Sequence, residues 1–352
     1  MRITTSIAAI VGALTLTLAG PAAFAGSEDW TGSALAAQLA DGGHHYSVDY
    51  GGTLYADYGL TLDGVLALDA TGVAKAEGNL AADYVRDHLA DYVGYSPDAY
   101  AGATAKGLVV SRAQGHGNTV ADVNLLTQLQ GLETSSGRFS DKSSWGDYSN
   151  TFSQSFALIA LKKAGVAQSK NSIGFLKLQQ CPNGGFREQE ADTACSDNTK
   201  ADPDATAIAI QGLAATPSNA DRSARISKAA KYLISLQNSG GGVKGGPGEI
   251  PNANTTGLAA LSLYTAGKYT AAAKARRFLT VTRFGCGFPA PMRGLIAYDK
   301  ARYAEAKSQG AAAVATDQDR RASTQAALGL AKIAIFRISN ANAVAGMPKQ
   351  SC

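Results

Sequence analysis

A chain of 352 residues with a formal charge of +4, 45% hydrophobic residues and 17% charged ones has enough apolar material for one large core. Its charges are mixed along the sequence with no Lys/Arg block, which excludes nucleic acid and an anionic membrane as implied partners. Nothing beyond the first 25 residues has the uninterrupted apolar length of a membrane span.

Arg2, the apolar run Ile7–Leu18, Pro21 and the small-residue site Ala23-Phe24-Ala25 read as a secretory signal peptide, residues 1–25. The remainder is expected to be secreted, with one domain over 26–340 and a C-terminal tail over 341–352. Four cysteines, Cys181, Cys195, Cys286 and Cys352, lie in that exported part, where disulfides persist. Three pairings are possible. Cys181–Cys195, closing a long loop, with Cys286–Cys352, tethering the tail, is the favoured one. No C-x-x-C spacing supports a metal site, so no metal or cofactor is expected.

The next elements repeat. The segments starting at Asp57, Asp147, Asp202 and Asn252 superimpose on reference threonines Thr61, Thr151, Thr206 and Thr256, with weaker copies around Thr104 and Thr324. Six units with threonines roughly 43 to 68 residues apart are expected, each a helix pair. Ahead of each threonine comes a second signature, as in Phe175-Leu-Lys-Leu-Gln-Gln-Cys-Pro-Asn-Gly-Gly-Phe186 and Tyr232-Leu-Ile-Ser-Leu-Gln-Asn-Ser-Gly-Gly-Gly-Val243. The unit therefore reads as helix A, a glycine turn, an irregular loop and helix B. The B helices are rich in Ala and Leu around most of their circumference and belong inside, whereas the A helices keep a polar face and belong outside. Gly72, Gly165 and Gly267 supply left-handed stops.

The stretch Lys228-Ala-Ala-Lys-Tyr-Leu-Ile-Ser-Leu-Gln-Asn-Ser-Gly-Gly-Gly resembles the repeat of the squalene cyclase and prenyltransferase superfamily. The whole pattern, including Asp57-Tyr-Gly-Leu-Thr61 after a Gly-Gly-His-His loop, looks like that of secreted actinobacterial proteins carrying this repeat. The resemblance implies an all-α fold, an (α/α)6 toroid of about twelve helices closed into a ring. Spacing alone leaves an open solenoid equally available.

Asp202-Pro-Asp204-Ala-Thr206 matches the Asp-x-Asp-Asp-Thr element of protonating terpene cyclases at three positions, Ala205 standing where the adjacent carboxyl would be. An acid of that kind must be kept neutral by a dry pocket. The competing reading is a helix cap, because Asp or Asn recurs four residues before the threonine in units one, three, four and five. The superfamily's zinc prenyltransferase site has no late histidine here, His116 being the last, and Gly285-Cys-Gly-Phe-Pro289 lacks the glutamine of a thioester protein.

Carbohydrate chemistry is the other enzymatic rival. The first unit's loop carries His44, His45 and Tyr46, followed by Asp57 and Tyr58; the third carries Trp145 and Tyr148; the fourth carries Glu188, Glu190 and Asp192. If the ring closes, these A-to-B loops gather at one end and form a ligand mouth. Candidate ligand contacts are His44, His45, Tyr46, Asp57, Tyr58, Trp145, Tyr148, Asp202 and Asp204, with Asp204 and His45 as weak catalytic candidates. The leading expectation is a secreted, monomeric, non-catalytic toroid holding a small hydrophobic or amphipathic ligand, or a cell-envelope component, at that mouth. The alternative is an enzyme, carbohydrate-active or terpene cyclase-like, with Asp204 as acid.

Overall fold

The computed structural model describes residues 27–246, 248–348 and 352; the expected signal peptide lies outside them. In chain order the first helices are α1 (Ser27–Asp41), α2 (Tyr58–Thr71), α3 (Lys75–Asp87), α4 (Leu89–Val93), α5 (Ala101–Ala113), α6 (Leu125–Gly131) and α7 (Thr151–Ala164). Then follow α8 (Lys170–Leu178), α9 (Pro203–Ala214), α10 (Ala220–Ser235), α11 (Ala253–Thr265), α12 (Tyr269–Val281), α13 (Lys300–Gln309) and α14 (Asp317–Ala331). The strands among the described residues form three small antiparallel hairpins in the A-to-B loops and the α5–α6 connection.

Six helices pack in a closed cycle, α2 on α5, α5 on α7, α7 on α9, α9 on α11, α11 on α14 and α14 back on α2. The other members of the pairs, α1, α3, α6, α8, α10 and α12, lie against the outside of this ring. The protein is therefore an α/α toroid, and α4 and α13 are extra helices within connecting loops.

Small residues let the inner helices touch. A Cβ on Gly257 would meet Gln325 O at 2.6 Å, and one on Gly329 would meet Gly257 O at 2.5 Å, so α11 and α14 cross backbone to backbone. Side-chain oxygens begin most inner helices. Asp57 accepts from Leu60 N, Asn150 from Phe152 N and Ser153 N, Asp202 from Ala205 N, and Asn252 from Thr255 N. Helix α5 has no such residue, and Asp141 of the next unit accepts Ala101 N at 2.7 Å instead.

The reference threonine clamps the glycine turn to the inner helix. Thr61 accepts from Tyr46 N at 3.0 Å, Thr206 from Phe186 N at 2.7 Å and Thr256 from Val243 N at 2.9 Å. In the third unit, however, Gln154 takes the bond from Phe139 N, and in the sixth Ser323 takes the one from Ile296 N. The alignment on Thr151 is thus shifted by three residues and that on Thr324 by one. Thr151 is the first residue of α7, and Thr324 lies within α14 rather than at its start. Asp147, aligned as a cap, instead accepts from Ser149 N and Asp141 N and pairs with Arg138. Glutamine can replace threonine because the clamp needs only a buried acceptor oxygen, which a sequence alignment on residue type cannot recognise.

The glycines pack each unit onto the next. A Cβ on Gly137 would lie 2.1 Å from Asn171 C, on Gly184 2.6 Å from Lys228 O, on Gly241 2.0 Å from Lys274 O, and on Gly294 2.4 Å from Trp30 O. The last of these closes the circle from unit six to unit one. The sixth residue of the signature, a glutamine, completes the joint: Gln180 donates to Gly184 O and Arg225 O, and Gln237 donates to Gly241 O and Ala271 O.

Contacts between successive loops put all the A-to-B connections at one end. Ala99 pairs with Lys142, Thr151 N bonds Glu188 O, Ala253 N bonds Tyr298 O, and Arg321 reaches Asp57. The opposite end is crossed by the C-terminal segment. Ile335 N bonds Gln211, Ile338 O accepts from Lys163, Asn340 N bonds Ala113 O, and Val344 N bonds Gly72 O. Ile335 and Ile338 are fully buried by this crossing. The disulfides are Cys181–Cys195 and Cys286–Cys352.

Candidate functional site at the loop-bearing end

Asp204 sits in the first turn of α9. The corrected alignment gives its counterparts, two residues before each clamping side chain, as Gly59, Gly102, Phe152, Asn254 and Arg321. Asp204 is the single carboxyl in that set. Its Oδ2 accepts from Asn254 Nδ2 at 3.3 Å, while Oδ1 is shut off from solvent without a partner. Burial raises its pKa to about 7, repulsion from Asp202 adds to the shift, and the Thr255 and Asn254 side chains partly offset it. Asp202 caps α9 and pairs in a short strand with Phe186, and burial raises its pKa as well. Glu188 and Glu249, both exposed on neighbouring loops, extend this acidic sector of the loop-bearing end.

Glu190 is the second carboxyl displaced upward, to about 8 through burial. Its side chain is completely enclosed and bonds Arg138 at 3.3 Å, which locks the loops of units three and four together. Both residues are half-buried, but Glu190 is held by the Arg138 cation whereas Asp204 is bonded by the neutral amide of Asn254, and this separates the two.

Across the ring the chemistry is ionic. Arg321 binds Asp57 at 2.5 Å and Asp317 at 2.7 Å, and Lys106 binds Asp63 at 2.7 Å while lying 5.7 Å from the Phe156 ring centre. Asp57 thus caps α2 and joins unit six to unit one at once, a role that sequence assigned to ligand contact.

The first unit's loop builds an aromatic stack. His45 lies on Tyr84 with centroids 4.1 Å apart, Tyr84 on His88 at 4.5 Å, and Tyr58 flanks both. Tyr58 and Tyr95 both donate to Asp91. Ser144 bonds Asp98 at 3.1 Å and so fastens the Trp145 turn beside the Tyr95 turn. Trp145 and Tyr148 are 76% and 75% exposed, and Tyr50, Tyr55 and Tyr95 are exposed with them. The rim of units one to three is therefore a run of accessible rings beside carboxylates.

Two of the expected mouth residues are placed otherwise. Tyr46 is 2% exposed and donates to Leu35 O, so it is a core residue beneath the mouth. The apolar ring outweighs the hydroxyl, which finds its partner inside. His44, at φ 69°, turns away from His45 to meet Glu77 at 2.9 Å. Among the described residues no three His, Cys, Asp or Glu side chains converge as metal ligands. Tyr84, His88, Tyr95 and Asp91 were not foreseen, because α3 and the segment after it meet the loop of unit one only once the two consecutive units pack together.

No family model matches the chain, and no curated protein does. Solved structures do. The type II terpene cyclase MstE from Scytonema, in complex with geranylgeranyl dihydroxybenzoate, aligns with a TM-score of 0.62 over 88% of this chain and 98% of that one at 13% identity. An unsaturated glucuronyl hydrolase specific for heparin aligns with a TM-score of 0.60 over 86% and 95% at 10% identity. A protein from Actinoplanes aligns with a TM-score of 0.57 over 86% and 99% at 14% identity. At these identities the likeness establishes the fold, and this chain is an α/α toroid like the cyclase and the glucuronyl hydrolases.

Proposed function

We propose that the protein is an acid catalyst acting on a glycan at the loop-bearing end of the toroid, with Asp204 as the proton donor. The observation that carries this is Asp204 itself, a carboxyl poised near pH 7 at a first-turn position where the other five units have no acid. Protonating a glycosidic oxygen needs a carboxyl held neutral around neutral pH, whereas protonating an isolated alkene needs a far stronger acid. Asp202 and Glu249 supply further carboxylates to the same sector, as hydrolysis or elimination beside a uronate requires. The exposed rings of Tyr95, Trp145 and Tyr148 supply faces on which sugar rings stack. The enzyme reading is preferred to the non-catalytic ligand holder, and at the level of the fold the names of the cyclase and the glucuronyl hydrolases support it. Two disulfides fit an extracellular location, and no described helix is long and apolar enough to cross a membrane.

The experiment is turnover of a panel of neutral and uronate-containing oligosaccharides by the purified protein. Activity should fall as pH rises past about 7, and Asp204→Asn should lower it by about a hundredfold or more. Asp204→Asn with full activity overturns the assignment. A second reading, cyclisation of a polyprenyl substrate, is favoured by the Asp202-x-Asp204 spacing; it gains ground if Asp204-dependent turnover occurs on such a substrate and on no glycan.

A further inference from the structure

The charges mix over the chain as a whole but not locally: from Arg222 to Tyr298 there are eleven Lys or Arg residues, none in a block, and one acid, Glu249. This stretch builds α10 and α12, the outer wall of units five and six. Three shallow, open depressions adjoin there, and all three are lined by Lys274. Lys268 and Tyr269 stand at one end, Arg277 lies one turn along α12 from Lys274, and Lys300 stands at the other end. No carboxylate is among the lining residues, and Gln237, Ser239 and Thr270 add uncharged hydrogen-bonding groups.

We propose that this groove is a binding site for an acidic polysaccharide chain, separate from the mouth. The surface is elongated, so it suits a polymer carrying repeated charges rather than a single small anion. Lys274 and Arg277 are three residues apart on a helix, placing the two cations about 4.5 Å apart along the axis. The Tyr269 ring, 62% exposed, offers one face to a sugar, while amide and hydroxyl groups between the cations meet sugar hydroxyls. A single-stranded nucleic acid would call for a succession of stacking rings, and the groove has only this one. The exposed Ile234 and Val281 also line this surface, so the vesicle arm of the test below is what separates it from a membrane-docking face.

The test is titration of the folded, oxidised protein with oligogalacturonate and with a heparin octasaccharide by calorimetry, at 50 and 200 mM salt. Binding should weaken with salt. Lys274→Ala and Arg277→Ala should each weaken it about two- to fivefold, and Lys274→Glu with Arg277→Glu more than tenfold. These are exposed positions, and circular dichroism confirms that the variants are folded. Asp204→Asn should bind as the wild type does, so this site and the proposed catalysis stand or fall separately. The proposal is overturned if the wild type binds neither oligosaccharide, if the double variant binds undiminished, or if duplex DNA or phosphatidylglycerol vesicles bind equally well through the same two residues.

Discussion

Asp204→Asn should stabilise the protein at alkaline pH while ending its catalysis. In the folded chain the Asp204 carboxyl ionises at about 7, against 3.8 when unperturbed. A carboxyl whose pKa is raised on folding makes the folded state bind the proton more tightly, so stability is full below the unfolded pKa and declines as pH rises through the folded one. The displacement of about three units corresponds to a ceiling of about 4 kcal/mol above pH 8. Asparagine keeps the size and the bond to Asn254 without the charge, so it escapes that penalty. Urea denaturation at pH 3 and pH 8.5 measures the difference. The variant should match the wild type at the lower pH and exceed it by about 2 to 4 kcal/mol at the higher. An equal effect at both pH values would show that Asp204 is no buried acid, and the argument for its catalytic role would fall with it.

The same linkage predicts a wild type less stable at pH 8 than at pH 5, since Asp69, at about 7, and Glu190, at about 8, are displaced in the same direction by burial. Cys286→Ser should lower stability by about 4 kcal/mol on chain-entropy grounds, the span being 66 residues, as read by thermal unfolding without reductant. Gly241→Ala should be costly, above about 2 kcal/mol, because the new Cβ meets Lys274 O at 2.0 Å; Gly72→Ala, with nothing within 4 Å, should cost about 1 kcal/mol for its backbone alone. Thr206→Val leaves the Phe186 amide without its acceptor in the core and should cost about 2 kcal/mol in the same assay.

The repeat was legible because each unit solves the same local problem. Asp57, Asp202 and Asn252 cap an inner helix, Thr61, Thr206 and Thr256 clamp a loop amide, and Gly184 and Gly241 let a turn lie on the next outer helix. These are short-range constraints that leave a fixed spacing in the chain. Where a different residue meets the same demand, as Gln154 and Ser323 do, the spacing misleads.

The site itself needed the units packed against one another. Asp204 is named by the sequence, but its displaced pKa arises from burial and from Asp202, partly offset by the bond from Asn254 of another helix. His45 stacks on Tyr84 because consecutive units pack side by side, and Arg321 joins Asp57 across 264 positions because closure brings unit six against unit one. Capping and turn chemistry act within a few residues and so are written in the sequence. Desolvation and the pairing of distant charges depend on which helices become neighbours, and only the tertiary structure sets that.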